Sequence, residues 1–245
     1  AAQEKGYSVL LFDGELDVPM VSMLEQKLEK SRFSRVDADI IDRLIAKEDT
    51  KKEEMAKDDR DKLTEVFRSQ MPNGDKATYA VDVQALGETN APVIITQSEY
   101  MRRMKEMAKF QPGMSFYGEL PTTYNFTLNT SHPVVKKVIE AAVDAVGKEV
   151  SPIDDELDKA NAEIKAIHDL DKDHKGVPDD KKDELKASEK KAEDLRAKKE
   201  AVIAGYAKGQ DVVKQLIDIA LLGNGLLKGE ALNSFLKRSV DLLNK

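Results

Sequence analysis

The sequence predicts an α+β chain. It opens on a small α/β unit, continues into a mixed sheet with helices, is interrupted by an inserted coiled-coil hairpin, and closes on a C-terminal helical bundle. Three observations carry this. Short apolar or alternating runs bounded by Gly, Pro or Asn recur through the first half, as strands do. The segments between them repeat their apolar residues with helical period. From Ser151 the composition shifts to interleaved acids and bases, before two final apolar segments.

In order along the chain, Tyr7 to Phe12 (YSVLLF) lies between Gly6 and Gly14 and reads as a buried strand. Pro19 sits near the start of a helix over Val18 to Leu28. Arg32 to Val36 reads as a second short strand and Asp39 to Ala46 as one or two helical turns. The charge run from Lys47 to Asp61, in which Met55 is the large apolar residue, reads as a linker. It divides the chain into residues 1–54 and 55–245.

The second unit opens on a helix over Asp58 to Gln70, with Leu63, Val66 and Phe67 on one face and Pro72, Asn73 and Gly74 as its stop. Ala77 to Val83 and Val93 to Thr96 read as strands. Thr96 and Glu99 have capping-box spacing at the start of the next helix. On a wheel of that helix Tyr100, Met101, Met104, Met107, Ala108 and Phe110 share one half, and Arg102, Arg103, Lys105, Glu106 and Lys109 share the other. Methionine is unbranched and polarizable, so a methionine stripe suits an adaptable binding surface as well as a core. The pattern alone favours core, because an amphipathic helix normally buries its apolar face. Tyr124, Phe126 and Leu128 alternate as a third strand, and a helix begins with Pro133 at its first position.

In Ser151 to Tyr206, Ile153, Leu157, Ala160, Ile164 and Ile167 follow the 4-3-4-3 spacing of a heptad seam. Leu185, Ala192, Leu195, Val202 and Tyr206 continue it after a break at Lys175 to Pro178, with Ser188 and Lys199 as polar interruptions. This predicts two antiparallel helices over residues 151–206. Asp211 to Gly223 and Gly229 to Leu243 are helices joined by Asn224 to Lys228, and the first is apolar on more than one side. Their excess apolar surface predicts a homodimeric four-helix bundle through Leu216, Ile217, Ala220, Leu221, Leu232, Phe235, Leu236, Val240 and Leu243.

Composition narrows the functional classes. The 245 residues are 40% hydrophobic, 35% charged and 5% aromatic, with a net charge of −7 and no cysteine. Disulfides and thiolate chemistry are excluded, and a reducing, cytoplasmic setting is expected. The negative charge argues against a nucleic-acid surface, and the basic residues of the methionine helix read as a solvated face. No apolar run reaches the ~20 residues of a membrane span. Ala1 to Lys5 lead straight into strand-like sequence, so no signal peptide is expected and the chain reads as an excised fragment with a tag remnant at Ala1 or Ala2. Catalytic and phosphate-binding motifs are missing. Asp169, Asp171 and Asp173 imitate the start of a calcium loop, but His174 replaces its glycine and Asp180 its final Glu, so a solvated acidic turn is the better reading. His132, between a strand and Pro133, reads as a helix-entry residue. No metal site and no catalytic residue are expected.

The order of these segments resembles the C-terminal portion of the heat-shock protein 90 family in its bacterial form. Lys5 to Asp17 (KGYSVLLFDGELD) is similar to the end of the family's middle domain, and Val93 to Gln111 to its strand and exposed amphipathic helix. Asn129 and His132 resemble its N-x-x-H turn, and Gln210 to Leu243 its dimerisation helices. The hairpin departs from the common pattern and looks like an insertion of a bacterial subgroup such as the Bacteroidetes. The resemblance implies a dimerisation and client-binding module of an ATP-dependent, stress-response chaperone. It places Tyr100, Met101, Met104, Met107 and Phe110 in client binding, reversing the reading of that helix as core. It also implies that ATP and magnesium belong to the full-length protein and that this chain, which ends at Lys245 without the acidic co-chaperone-recruiting peptide of eukaryotic members, is not itself an enzyme. The alternative from another class is a coiled-coil scaffold whose hairpin is the interaction surface.

Overall fold

The structure, a computed structural model, describes residues 2–3, 6, 8–14, 16–28, 30–31, 33–36, 38, 55–72, 76–109, 113, 115–170 and 177–243. Among the described residues the chain is α+β, with eight α-helices and a small mixed sheet. The helices are α1 (Asp17–Lys27), α2 (Lys57–Arg68), α3 (Glu99–Ala108), α4 (Ser115–Glu119), α5 (Pro133–His168), α6 (Lys182–Ala207), α7 (Asp211–Gly223) and α8 (Gly229–Leu243). The strands are β1 (Ala77–Gln84), β2 (Val93–Gln97) and β3 (Thr122–Asn129).

The sheet order is β1-β3-β2, with β1 parallel and β2 antiparallel to the central β3. Side chains alternate across a strand, so the register stacks rows on one face. Val83, Leu128 and Val93 form one row, and Val81, Phe126 and Ile95 the next. Tyr79 lies opposite Tyr124, with ring centroids 5.7 Å apart. Helix α2 covers this face through Leu63, Val66 and Phe67, all fully buried, and Phe67 reaches Phe126 at 6.2 Å between centroids. The first turns of α5, the end of α6, and α7 complete one core.

Asn129 fixes the turn from β3 into α5. Its fully buried amide accepts from the N–H groups of Leu86 (3.0 Å) and Ser131 (3.1 Å) and donates to the Gly87 carbonyl at 2.8 Å. It donates also to the carbonyls of Asn90 and Ala91. His132 is the N-cap of α5, its Nδ1 accepting from the Val134 N–H at 3.2 Å. The helix-entry role read from the sequence is therefore the one seen.

Helix α5 runs unbroken from Pro133 to His168 with Pro152 inside it, where two elements had been expected. Proline removes one N–H and frees the carbonyl four residues back. That residue, Lys148, is on the exposed side of the helix, where water can satisfy it. Helices α5 and α6 lie antiparallel: Asp154 pairs with Lys199, Asn161 with Arg196 and Glu163 with Ser188. Ile153, Ala160 and Ile167 of α5 and Ala192 and Leu195 of α6 are buried between them. The polar interruptions at Ser188 and Lys199 thus have partners on the facing helix. The base of the pair is not separable from the globular part, because Val150, Ile203 and Ala207 belong to the main core and Arg68 of α2 meets Glu200 at 2.7 Å.

Three expectations need correction. Residues 8–13 form no strand, and Val9 to Phe12 are exposed, Leu11 at 89%. A strand needs neighbours for its N–H and C=O groups, and no described strand lies beside this run. Residues 33–36 form no strand either. Thr96 does not cap α3: β2 continues through Gln97, Thr96 is buried within it, and Ser98 is the N-cap, without a side-chain hydrogen bond. The turns at 39–46 and the division at residues 54 and 55 lie at or outside the limits of the described residues.

Candidate interaction surfaces

Helix α3 leaves the sheet from β2 and stands apart from the core. None of its residues belongs to the buried cluster. Its main neighbours are α1 and α4. Met101, Met104 and Met107 are half-buried, and Tyr100 is 65% exposed. Phe110 lies outside the described residues. Phe116 of α4 is also exposed and stands edge-on to Tyr117, with centroids 6.0 Å apart. Sequence reading missed Phe116, which sits on a helix too short to show periodicity.

The basic residues of α3 do not form the solvated face expected from the sequence. Arg102 is buried, with Nε donating to Gln97 Oε1 at 3.3 Å. Arg103 donates from Nη1 to Glu25 Oε2 at 2.6 Å and from Nη2 to the Phe33 carbonyl at 2.7 Å. Lys105 donates to the Leu120 carbonyl and to Thr122 Oγ1. Lys109 alone of the four is exposed. Long cationic side chains carry their charge several ångströms from the helix, so they reach acceptors on α1 and at the start of β3. The cations anchor α3, and among the described residues its methionines lie outside the buried cluster.

The second surface is on α7 and α8. Leu216, Ile217, Ala220, Leu221 and Phe235 lie in the core of the chain itself, and Leu232 packs half-buried against it. Leu236, Val240 and Leu243 are 52%, 58% and 87% exposed. The spacing of these three puts them on one side of α8. Val212, Ile219 and Leu222 form a matching exposed apolar row on α7, and sequence reading had not selected them. The helical period had marked α7 as apolar on two sides without saying which side turns inward. The two helices are tied by polar contacts: Gln215 Nε2 donates to Ser239 Oγ at 2.7 Å, Arg238 Nε donates to Gln215 Oε1 at 3.1 Å, and Arg238 pairs with Asp218. Burial raises the Asp218 carboxyl above its ordinary pKa, against the lowering effect of Arg238.

At the hairpin tip, Asp169 ends α5, while residues 171–176 of the acidic turn lie outside the described residues. Among the described residues there is no group of three or more His, Asp or Glu side chains placed to hold a metal ion, and no helix is long and apolar enough to cross a membrane.

The fold and these faces define an α+β chain that presents apolar helix surfaces outside its core. Along 99% of its length it is similar to bacterial proteins named chaperone protein HtpG: 53% identical to that of Bacteroides thetaiotaomicron and 50% to that of Bacteroides fragilis strain 638R. Identity to the HtpG of Porphyromonas gingivalis strain W83 is 40% over 250 aligned residues. The chain belongs to the heat-shock protein 90 family, in its bacterial HtpG branch. It spans 36% of the length of these relatives. The alignments take in almost all of the chain, residues 151–206 included. No family model matches the chain, and no solved structure matches it at a significant level.

Proposed function

We propose that this chain is the dimerisation and client-binding module of a molecular chaperone, dividing near residues 54 and 55 into the end of a middle domain and a C-terminal dimerisation domain. The observation that carries the reading is the methionine helix. An amphipathic helix that contributes nothing to the core, and is held by its cations, keeps its apolar side for something else. Tyr100, Met101, Met104 and Met107, with Phe110 following, grip exposed apolar segments of unfolded proteins. Methionine suits that task because it repacks against many shapes. The paired chain is a second copy, joined through the outward row of α7 and α8 into a four-helix bundle. Two client surfaces then share one particle, which raises avidity without new contacts.

ATP and magnesium are handled by the remainder of the longer protein, and this chain alone hydrolyses no ATP. The setting is the cytoplasm. The test is light scattering from a reduced, aggregating model protein. Stoichiometric addition of the chain should suppress the scattering. Scattering unchanged at a tenfold excess of the chain would contradict the reading.

A further inference from the structure

We propose that Glu25, Arg103 and the Phe33 backbone form a latch that holds α1 along the edge of the methionine helix and restricts access to it. This rests on the client-binding reading of α3. The geometry is a closed polar triangle. Arg103 donates to Glu25 Oε2 at 2.6 Å and to the Phe33 carbonyl at 2.7 Å, and the Phe33 N–H donates back to Glu25 Oε1 at 2.6 Å. The side chains of Arg103 and Glu25 are 20% and 23% exposed, so water screens the pair only partly. The three groups lie on separate stretches of chain: Glu25 in α1, Phe33 after it, and Arg103 in the middle of α3.

The position of Arg103 gives the latch its consequence. Residues four apart on a helix lie one above the other, so Met107 sits one turn along the same side as Arg103. An element clasped to Arg103 therefore borders the methionine stripe. Tyr100, at the opposite end of that side, remains exposed. The methionines are half-buried although among the described residues they lie outside the buried cluster, and α1 and α4 are the main neighbours of α3.

The contact is suited to release. Helix α1 buries one residue, Val21, while Met20, Met23 and Leu28 stay exposed, so little apolar area holds it in place. A polar clasp on a thinly packed helix opens at low free energy, as mobile regulatory elements do. Release of α1 would uncover the Met107 side of α3. The lysine on the other flank holds α4 and the start of β3 to α3 independently, so α3 keeps its place when α1 leaves.

The test uses the 245-residue chain with Glu25→Gln and Arg103→Gln, singly and together, read by amide hydrogen exchange and by binding of fluorescent, reduced and carboxymethylated lactalbumin. Each single variant should speed exchange across α1 and α3 roughly tenfold, the loss of one charge-assisted contact. The double variant should speed exchange by less than the product of the two single effects, because the Glu25–Arg103 contact is common to both. Exchange in α7 should stay unchanged, and Glu25→Gln should raise lactalbumin affinity several-fold. Exchange in α1 and α3 within twofold of the parent would overturn the latch. Faster exchange without tighter lactalbumin binding would overturn its role as a gate. The client reading is tested separately by Met101, Met104 and Met107→Ser: if that variant binds lactalbumin like the parent, the reading fails whatever the exchange shows.

Discussion

Replacing Met101, Met104 and Met107 together with Ser separates a binding face from a core. A methionine truncated in a core costs about 2–5 kcal/mol, so three in a core would remove at least about 6 kcal/mol, much of the stability of an ordinary domain. Here the three side chains are half-buried and lie outside the buried cluster. Full burial of a methionine is worth about 1.5–3 kcal/mol, and only part of that is realised in the free protein. Because α3 can open without the core, global unfolding should lose no more than about 2 kcal/mol, a fall in Tm of roughly 4–8 °C for a chain of this size. The area still open is what a client covers, worth roughly 1 kcal/mol at each methionine. Affinity for carboxymethylated lactalbumin should therefore weaken on the order of 100-fold. Melting followed by circular dichroism and binding followed by fluorescence anisotropy measure both. A drop in Tm beyond about 12 °C, with client affinity retained in the folded fraction, would refute the reasoning.

Other changes probe the scaffold. Asn129→Ala should lower stability by about 2–3 kcal/mol, because it removes the hydrogen bonds by which one fully buried amide ties the 86–91 loop to the start of α5, and Asn129→Asp should not rescue it, since a carboxylate would face three carbonyls; calorimetric melting decides. Burial raises the Asp218 carboxyl above its ordinary value of 3.8, so the folded chain holds this proton more tightly than the unfolded chain. Its contribution to stability is complete below pH 3.8 and disappears as pH rises through the folded value, and urea titrations across that window should show a steeper decline for the parent than for Asp218→Asn. Replacing residues 155–198 with a short Gly-Ser linker should leave the Tm of the globular part within about 3 °C, the effect of roughly 1 kcal/mol. Excising 151–206 should cost far more because it removes Ile203 from the core.

The sheet and its helices were legible because their periods differ. Alternation at Tyr124, Phe126 and Leu128 and helical spacing at Leu63, Val66 and Phe67 point to the two sides of one core, and the structure joins them there. The heptad positions Ile153, Ala160 and Ile167 likewise turn inward. Periodicity could not show that residues 8–12 lack a neighbouring strand among the described residues, since pairing is a tertiary property. Nor could it show where the charges of Arg102, Arg103 and Lys105 go. A wheel places side chains around a helix axis, but the acceptors at Gln97, Glu25, Phe33 and Leu120 come from elsewhere in the fold. On α7 the wheel gave two apolar sides. Only the contacts of α2, β2 and α8 settle that Leu216 and Leu221 face in, while Val212, Ile219 and Leu222 face out.

Sedimentation of the chain beside its Leu236→Asp, Val240→Asp variant tests the account most directly. Both residues are outward-facing, so the variant should fold and melt like the parent, while two charges placed in an apolar interface should abolish association. The account predicts a dimer for the parent at micromolar concentration and a folded monomer for the variant. A monomeric parent at high micromolar concentration, or a variant that remains dimeric, would contradict it.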